Sequence, residues 1–286
     1  MFLSVDTKNV TAVAEAVRAI MAATFPGASL QVTDRLFADV EAMFTGRYLD
    51  YQAIDLGYHD FEHTLQATLC FARLFAGRHQ ARAEPILEAR HFEIGLAAAL
   101  LHDTGYLKLR ADREGTCAKY THVHVLRSCA FAAAYLPTIG FKLSEVEIVT
   151  GAIRCTGIVA RIARLYFNSF ADKLLGCMLV TADYLGQMAA PDYPDELGVL
   201  YREFRESDAF FLLEPGNCTF LSADDLIQKT PDFWGKFVRP KLDDDFEGVY
   251  RFLASPYPNG SNAYIDAIER NIAAVRARAA ARITTG

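Results

Sequence analysis

The chain has 286 residues, enough for one large domain or two small ones. Hydrophobic residues make up 52% and charged residues 22%, which supplies a sizeable core and argues against disorder. The net charge of −6 argues against a nucleic-acid polymer as partner, because such binders carry a basic face.

Apolar residues recur at helical spacing and strand-like alternation is scarce, so the predicted class is all-α. Asp6 or Thr7 is the predicted cap of a first helix that runs to about Thr24, where Pro26-Gly27 stops it. Thr33 starts a second, through about Phe44. A third is predicted from about Asp60 to Arg78. A fourth, from about Pro85 to His102, is apolar nearly all round between Ile94 and Leu101 and belongs in the middle of the core. Residues 104–120 are polar and aperiodic, a predicted loop. Helices follow near 121–136, 143–155 and 169–189, then 192–206, 222–236, 241–253 and Asn262 to Arg282. No repeat or flexible linker divides the chain. The expected organisation is N-terminal helices over 1–54, a core over 55–190 and a C-terminal helical extension over 191–286, in one continuous domain.

The N-terminus lacks a basic stretch followed by an apolar one, and the longest apolar runs, such as 94–101, fall short of the roughly 20 residues that span a bilayer. Cys70, Cys117, Cys129, Cys155, Cys177 and Cys218 form no CxxC pair and read as reduced thiols. A cytoplasmic protein with no membrane partner is expected, with homo-oligomers open.

Three segments carry candidate chemistry. In Tyr58-His59-Asp60-Phe61-Glu62-His63, two histidines stand four apart, one helical turn on a shared face. In Leu101-His102-Asp103-Thr104-Gly105, a His-Asp doublet ends the most apolar helix, where an uncompensated carboxylate is costly. Asp183 interrupts the apolar run from Leu174 to Met188. Each segment alone has an ordinary explanation: aromatic-flanked histidines, a neutral His bonded to Asp at a helix end, an acid satisfied by Tyr or Thr hydroxyls. Together they offer imidazole nitrogens and carboxylate oxygens from three helices, a usual construction for a metal site in a bundle.

The ordered set resembles the HD superfamily of metal-dependent phosphohydrolases, over about residues 55–190. Tyr58-His59-x-x-x-His63 looks like the opening motif of its cyclic-nucleotide phosphodiesterase branch, and Ala182-Asp183-x-Leu185-x-Gln187-Met188-Ala189 like the closing motif of bacterial members. The resemblance implies a phosphodiesterase-like helical bundle with His63, His102, Asp103 and Asp183 as metal ligands. It implies His59 as general acid and Asp103 as the bridge if a second ion binds. His124-x-x-x-Ser128 looks like the family's His-then-Ser helix, which favours His124 over His122 near a second ion. Cys155 stands where a later family histidine falls, which leaves one divalent ion, or a second held largely by water. Mg, Mn, Zn and Fe are not distinguished.

The expected activity is hydrolysis of a small phosphate ester, most naturally a nucleotide mono- or diester, by a metal-activated water with His59 donating to the leaving group. A metal ion would supply positive charge to such a substrate whatever the global balance. Glu62 or Asp60 is the expected partner that orients a histidine. Lys108, Arg110 and Arg113, in the loop after the doublet, are candidate phosphate binders, as are Arg154 and Lys173. Phe210-Phe211, Phe233-Trp234 and the pair Arg239 and Lys241 suit either a nucleotide or ordinary packing. Two other functions compete: a di-iron oxygenase on the same fold, which needs more histidines, and a non-catalytic scaffold, which would have lost ligands.

Overall fold

A computed structural model describes residues 4–157 and 160–283. Among them the structure is helices, short turns and isolated bridges with no strand, so the class is all-α. The N-terminal pair is α1 (Val10–Thr24) and α2 (Gln31–Phe44). The centre is built by α3 (Phe61–Gln80), α4 (Ala89–Leu101), α5 (His124–Tyr135), α6 (Leu143–Arg154) and α7 (Phe170–Met188). The C-terminal part holds α8 (Tyr193–Phe210), α9 (Ala223–Asp232), α10 (Arg239–Asp243) and α11 (Ala263–Ile283).

Two helices have no solvent face over much of their length. All residues from Phe92 to Leu101 of α4 are buried, and so are those from Leu174 to Gly186 of α7. An all-round apolar helix is stable only when neighbours surround it. Here α4 packs on α2, α3, α6 and α7, and α3 lies along α7. Gly186 makes the last contact close: a β-carbon there would come within 2.9 Å of the Ala67 backbone nitrogen on α3. Each fully buried Leu or Phe in these faces contributes about 1.5–3 kcal/mol.

Several boundaries differ from those expected, for local reasons. The first helix is capped by Asn9, whose side chain accepts from the Ala12 N–H at 3.2 Å. Thr7 instead donates to Glu62 at 2.8 Å. The fourth helix starts at Ala89, not near Pro85, because the Glu88 N–H finds His91 Nδ1 at 3.1 Å. The helix expected over 241–253 does not form. The chain leaves α10 after Asp243, takes left-handed backbone at Glu247 and Gly248, and resumes as a 3-10 turn over Val249–Leu253. Residues 104–120 hold two 3-10 turns, Thr104–Tyr106 and Cys117–Tyr120, and Thr104 to Lys108 are buried rather than looped over the surface.

No helix among the described residues is long and apolar enough to cross a membrane.

Candidate metal centre

The polar centre forms where α3 and α5 begin and α4 ends, beside the continuous α7. Asp60 starts α3 by accepting from the His63 N–H at 2.9 Å, which sets His63 in the first turn with its ring buried. His102 directly follows α4, and its Nδ1–H donates to the Ala99 carbonyl at 2.8 Å, so its Nε2 presents a lone pair. Gly105 then lets α5 approach: a β-carbon there would lie 1.9 Å from the His124 carbonyl oxygen, and its N–H donates to Ser128 Oγ at 2.8 Å. Asp183 comes from the C-terminal half of α7, where it is largely buried.

These four side chains converge. His63 Nε2 lies 3.3 Å from Asp103 Oδ2 and 3.3 Å from Asp183 Oδ1. His102 Nε2 lies 3.4 Å from Asp103 Oδ2, 3.6 Å from Asp183 Oδ1 and 3.4 Å from His63 Nε2. Asp103 Oδ2 is buried and has no hydrogen-bond partner. Donor atoms 3.3–3.6 Å apart, at the long end of hydrogen-bond range, could hold a shared cation. Ligand bonds of about 2.0–2.2 Å place neighbouring donors roughly 3–3.5 Å apart. His63, His102 and Asp103 form the one set of three or more such donors, among the described residues, within 4.8 Å of one another. The donor set therefore fits a divalent ion of the kind that accepts imidazole and carboxylate together.

The electrostatics show what stands in when no cation does. Burial pulls the His63 imidazole down, but hydrogen bonding and charge from Asp103 and Asp183 outweigh it and push it up to about 10. His102 moves up for the same reasons. Burial pushes the Asp103 and Asp183 carboxyls up, yet the neighbouring imidazoles hold both well below the usual carboxylate range. The two carboxylates thus favour positive charge between them, and in the metal-free protein they raise the proton affinity of both imidazoles.

A second side exists. Asp103 Oδ1 points away from His63 and lies 3.6 Å from His124 Nε2, while the His124 Nδ1–H donates to the Thr121 carbonyl at 2.6 Å. One carboxylate thus faces two groups of nitrogens. The Tyr106 ring stacks on His124 (4.7 Å between centroids) and on His59 (5.0 Å), which lines the three rings up beside Asp103.

His59 does not share a helix face with His63, as the spacing predicted. It stands in the bend before α3, and its Nδ1 meets Glu203 Oε2 at 2.6 Å. Glu203 Oε1 also accepts from the Gly57 and Tyr58 N–H groups at 3.1 and 2.8 Å. Glu203 lies in α8, beyond the predicted core, and 144 residues separate it from His59. Neither expected partner takes this role: Glu62 bonds Thr7 and Gln66, and Asp60 caps α3. The only signal in the sequence was an acid on the face of α8 that also carries Ser207, a face that turns out to be buried.

Other candidates lie elsewhere. His122 turns to α8, with Nε2 2.7 Å from Asp208 Oδ1. Lys108 is buried and spends its ammonium on the Glu114 and Gly115 carbonyls inside its own loop, so it is not free for a phosphate. Arg110 reaches the Gly46 carbonyl at 2.9 Å on the far side of that loop, and Arg113 is exposed. Lys173 pairs with Glu247, and Arg154 is exposed. Trp234 is core, donating to Glu269 at 2.8 Å, and Lys241 packs over Phe237, whereas Phe210 and Phe211 adjoin the 117–122 segment. Cys155 packs against Gly176, two turns of α7 before Asp183.

No protein-family model matches the chain, and no curated protein matches it.

Proposed function

We propose that the protein is a metal-dependent phosphohydrolase of the HD type, with His63, His102, Asp103 and Asp183 holding a divalent ion. The observation that carries this reading is the buried cluster of His63, His102 and Asp103 with donor atoms within 4.8 Å of one another, Asp183 Oδ1 lying 3.3 Å from His63 Nε2 and Asp103 Oδ2 lacking a hydrogen-bond partner. When bound, such an ion supplies Lewis acidity: it makes water a better nucleophile near neutral pH and offsets charge on phosphoryl oxygens.

The chain's own groups supply the rest. The Glu203 carboxylate fixes the His59 tautomer by accepting from Nδ1–H, so proton exchange with a substrate takes place at Nε2. The His59 ring lies 5.6 Å from that of His63 and 6.0 Å from that of His124, next to the cluster without belonging to it. That placement suits a general acid that protonates the departing oxygen. Tyr106 stacking limits how the His59 ring can turn. Asp103 Oδ1 and His124 Nε2 offer a place for a second ion completed by water.

The histidines weigh against an iron oxygenase. Of the seven in the chain, His79 packs edge-on against Phe25, His91 caps α4 and His122 pairs with Asp208, which leaves only His59 and His124 for a second metal. A screen of phosphate mono- and diesters with Mg, Mn, Zn and Fe tests the proposal. Hydrolysis that needs added metal and disappears in Asp103→Ala is expected. Oxygen uptake with iron, and no ester cleavage, would replace this reading with the oxygenase.

A further inference from the structure

The donors of the cluster are held in different ways. His102 is aimed through Nδ1 by the Ala99 carbonyl of its own helix, at 2.8 Å. Asp183 has no such backbone partner. It projects from a continuous stretch of α7, and the terminal torsion of a carboxylate is soft. Its Oδ1 nevertheless stands 3.3 Å from His63 Nε2 and 3.6 Å from His102 Nε2.

Gln187 supplies the hold. It follows Asp183 by four residues on α7, so the two side chains share a face, and its Nε2 donates to Asp183 Oδ1 at 3.3 Å. A glutamine amide could turn either edge toward that carboxylate. An ionised carboxylate only accepts, so the N–H edge must face Asp183 and Oε1 points away. Tyr58 closes the far edge: its hydroxyl donates to Gln187 Oε1 at 2.5 Å. That bond engages the oxygen which the opposite orientation would turn on the carboxylate.

Both ends of this chain are anchored. Asn271 of α11 donates to the Met188 and Ala190 carbonyls at 2.9 and 2.7 Å, which fixes the end of α7 directly after Gln187. Tyr58 is buried, its N–H donates to Glu203 at 2.8 Å, and its ring stacks on that of His63 with 6.1 Å between centroids. Gln187 itself is half-buried, so it can be replaced without opening the core.

We propose that Gln187 and Tyr58 are positioning residues of the metal centre: Gln187 holds Asp183 Oδ1 toward the ion through its N–H, and Tyr58 acts through Gln187 by fixing its amide. The inference rests on the metal-binding reading of the cluster and deepens it. Hydrogen-bond partners that orient a ligand typically govern 10–100-fold in metal affinity.

The test measures the Kd for Zn, by competition with a chromophoric chelator, in the full-length protein. Gln187→Met, which keeps volume and removes the amide, should raise Kd about 10–100-fold. Tyr58→Phe, which keeps the ring and removes one oxygen, should raise it about 2–10-fold, the effect of one hydrogen bond. The double variant should bind as Gln187→Met does, because Tyr58 has nothing left to fix. Wild-type affinity in Gln187→Met would overturn the proposal. So would a Tyr58→Phe loss that persists in full in the double variant, because Tyr58 would then act by another route. A merely structural pair would lower the melting temperature of the metal-free variants and leave Kd unchanged. If Gln187→Met does not fold, Tyr58→Phe still decides, and its binding Zn as the wild type does would overturn the relay. If the wild type binds no Zn, the metal reading fails and this inference falls with it, whereas unchanged variants overturn the inference alone.

Discussion

At the scale of single residues, the centre is two buried carboxylates that favour positive charge, from protons on His63 and His102 or from a bound cation. His102→Ala or Asp103→Ala should abolish metal binding while circular dichroism still reports a helical protein. His59→Ala should keep its metal and lose about 10²–10⁴-fold in turnover of alkyl phosphates. Nitrophenyl esters, whose leaving groups need no proton, should lose far less. An equal loss on both would remove His59 from the general-acid role. Glu203→Gln should lower alkyl ester turnover about 10–100-fold with metal content unchanged. Turnover at the wild-type level would make the Glu203 contact merely structural.

The same groups set a pH dependence in the metal-free protein. His63 is raised from about 6.5 to about 10 on folding, so its contribution is fully present below pH 6.5 and lost as pH rises through 10. Asp103 and Asp183 are depressed, so theirs is present above about pH 3.8 and lost as pH falls through their lowered values. The melting temperature of metal-free protein should therefore fall between pH 7 and 10. Added metal should blunt that fall, because the ion replaces the departing protons and binds more tightly as they leave. A flat metal-free profile over this range would contradict the charge assignment.

At the scale of elements, close approach does much of the positioning. Gly105 is where the chain turns from the end of α4 under α5, and Gly105→Ala would drive a β-carbon into the His124 backbone. That overlap should cost at least about 2 kcal/mol and displace His124 relative to Asp103. Chemical denaturation measures the first effect. The all-apolar α4 and the buried acid of α7 were legible in the sequence, because both are signals of composition along one helix. The bend that carries His59 was not, because a spacing of four residues looks the same whether or not the helix has begun. Lys108 was misread for a related reason: a basic loop residue and a buried lysine capping its own loop's carbonyls share one sequence pattern.

At the scale of the whole molecule, the centre draws on more of the chain than residues 55–190. Helix α8 presents Glu203 to residues 57–59, Glu206 to Thr116, and Ser207 and Asp208 to His122. These contacts tie the segments flanking the cluster to one helix outside it. The all-α class was readable from periodicity alone, and the ligand candidates from residue types at helix ends or, for Asp183, from its break in an apolar run. The role of α8 was not, because long-range pairing between a loop and a distant helix leaves no local periodicity.

The central claim is that His63, His102, Asp103 and Asp183 together hold a divalent cation. Its most direct test is metal content by elemental analysis, after the purified protein is loaded with Mn, Zn or Fe and dialysed. The account predicts at least one tightly held equivalent in the wild type and none in Asp103→Ala or Asp183→Ala. A folded wild-type protein that retains no ion, or variants that retain as much as it does, would contradict it.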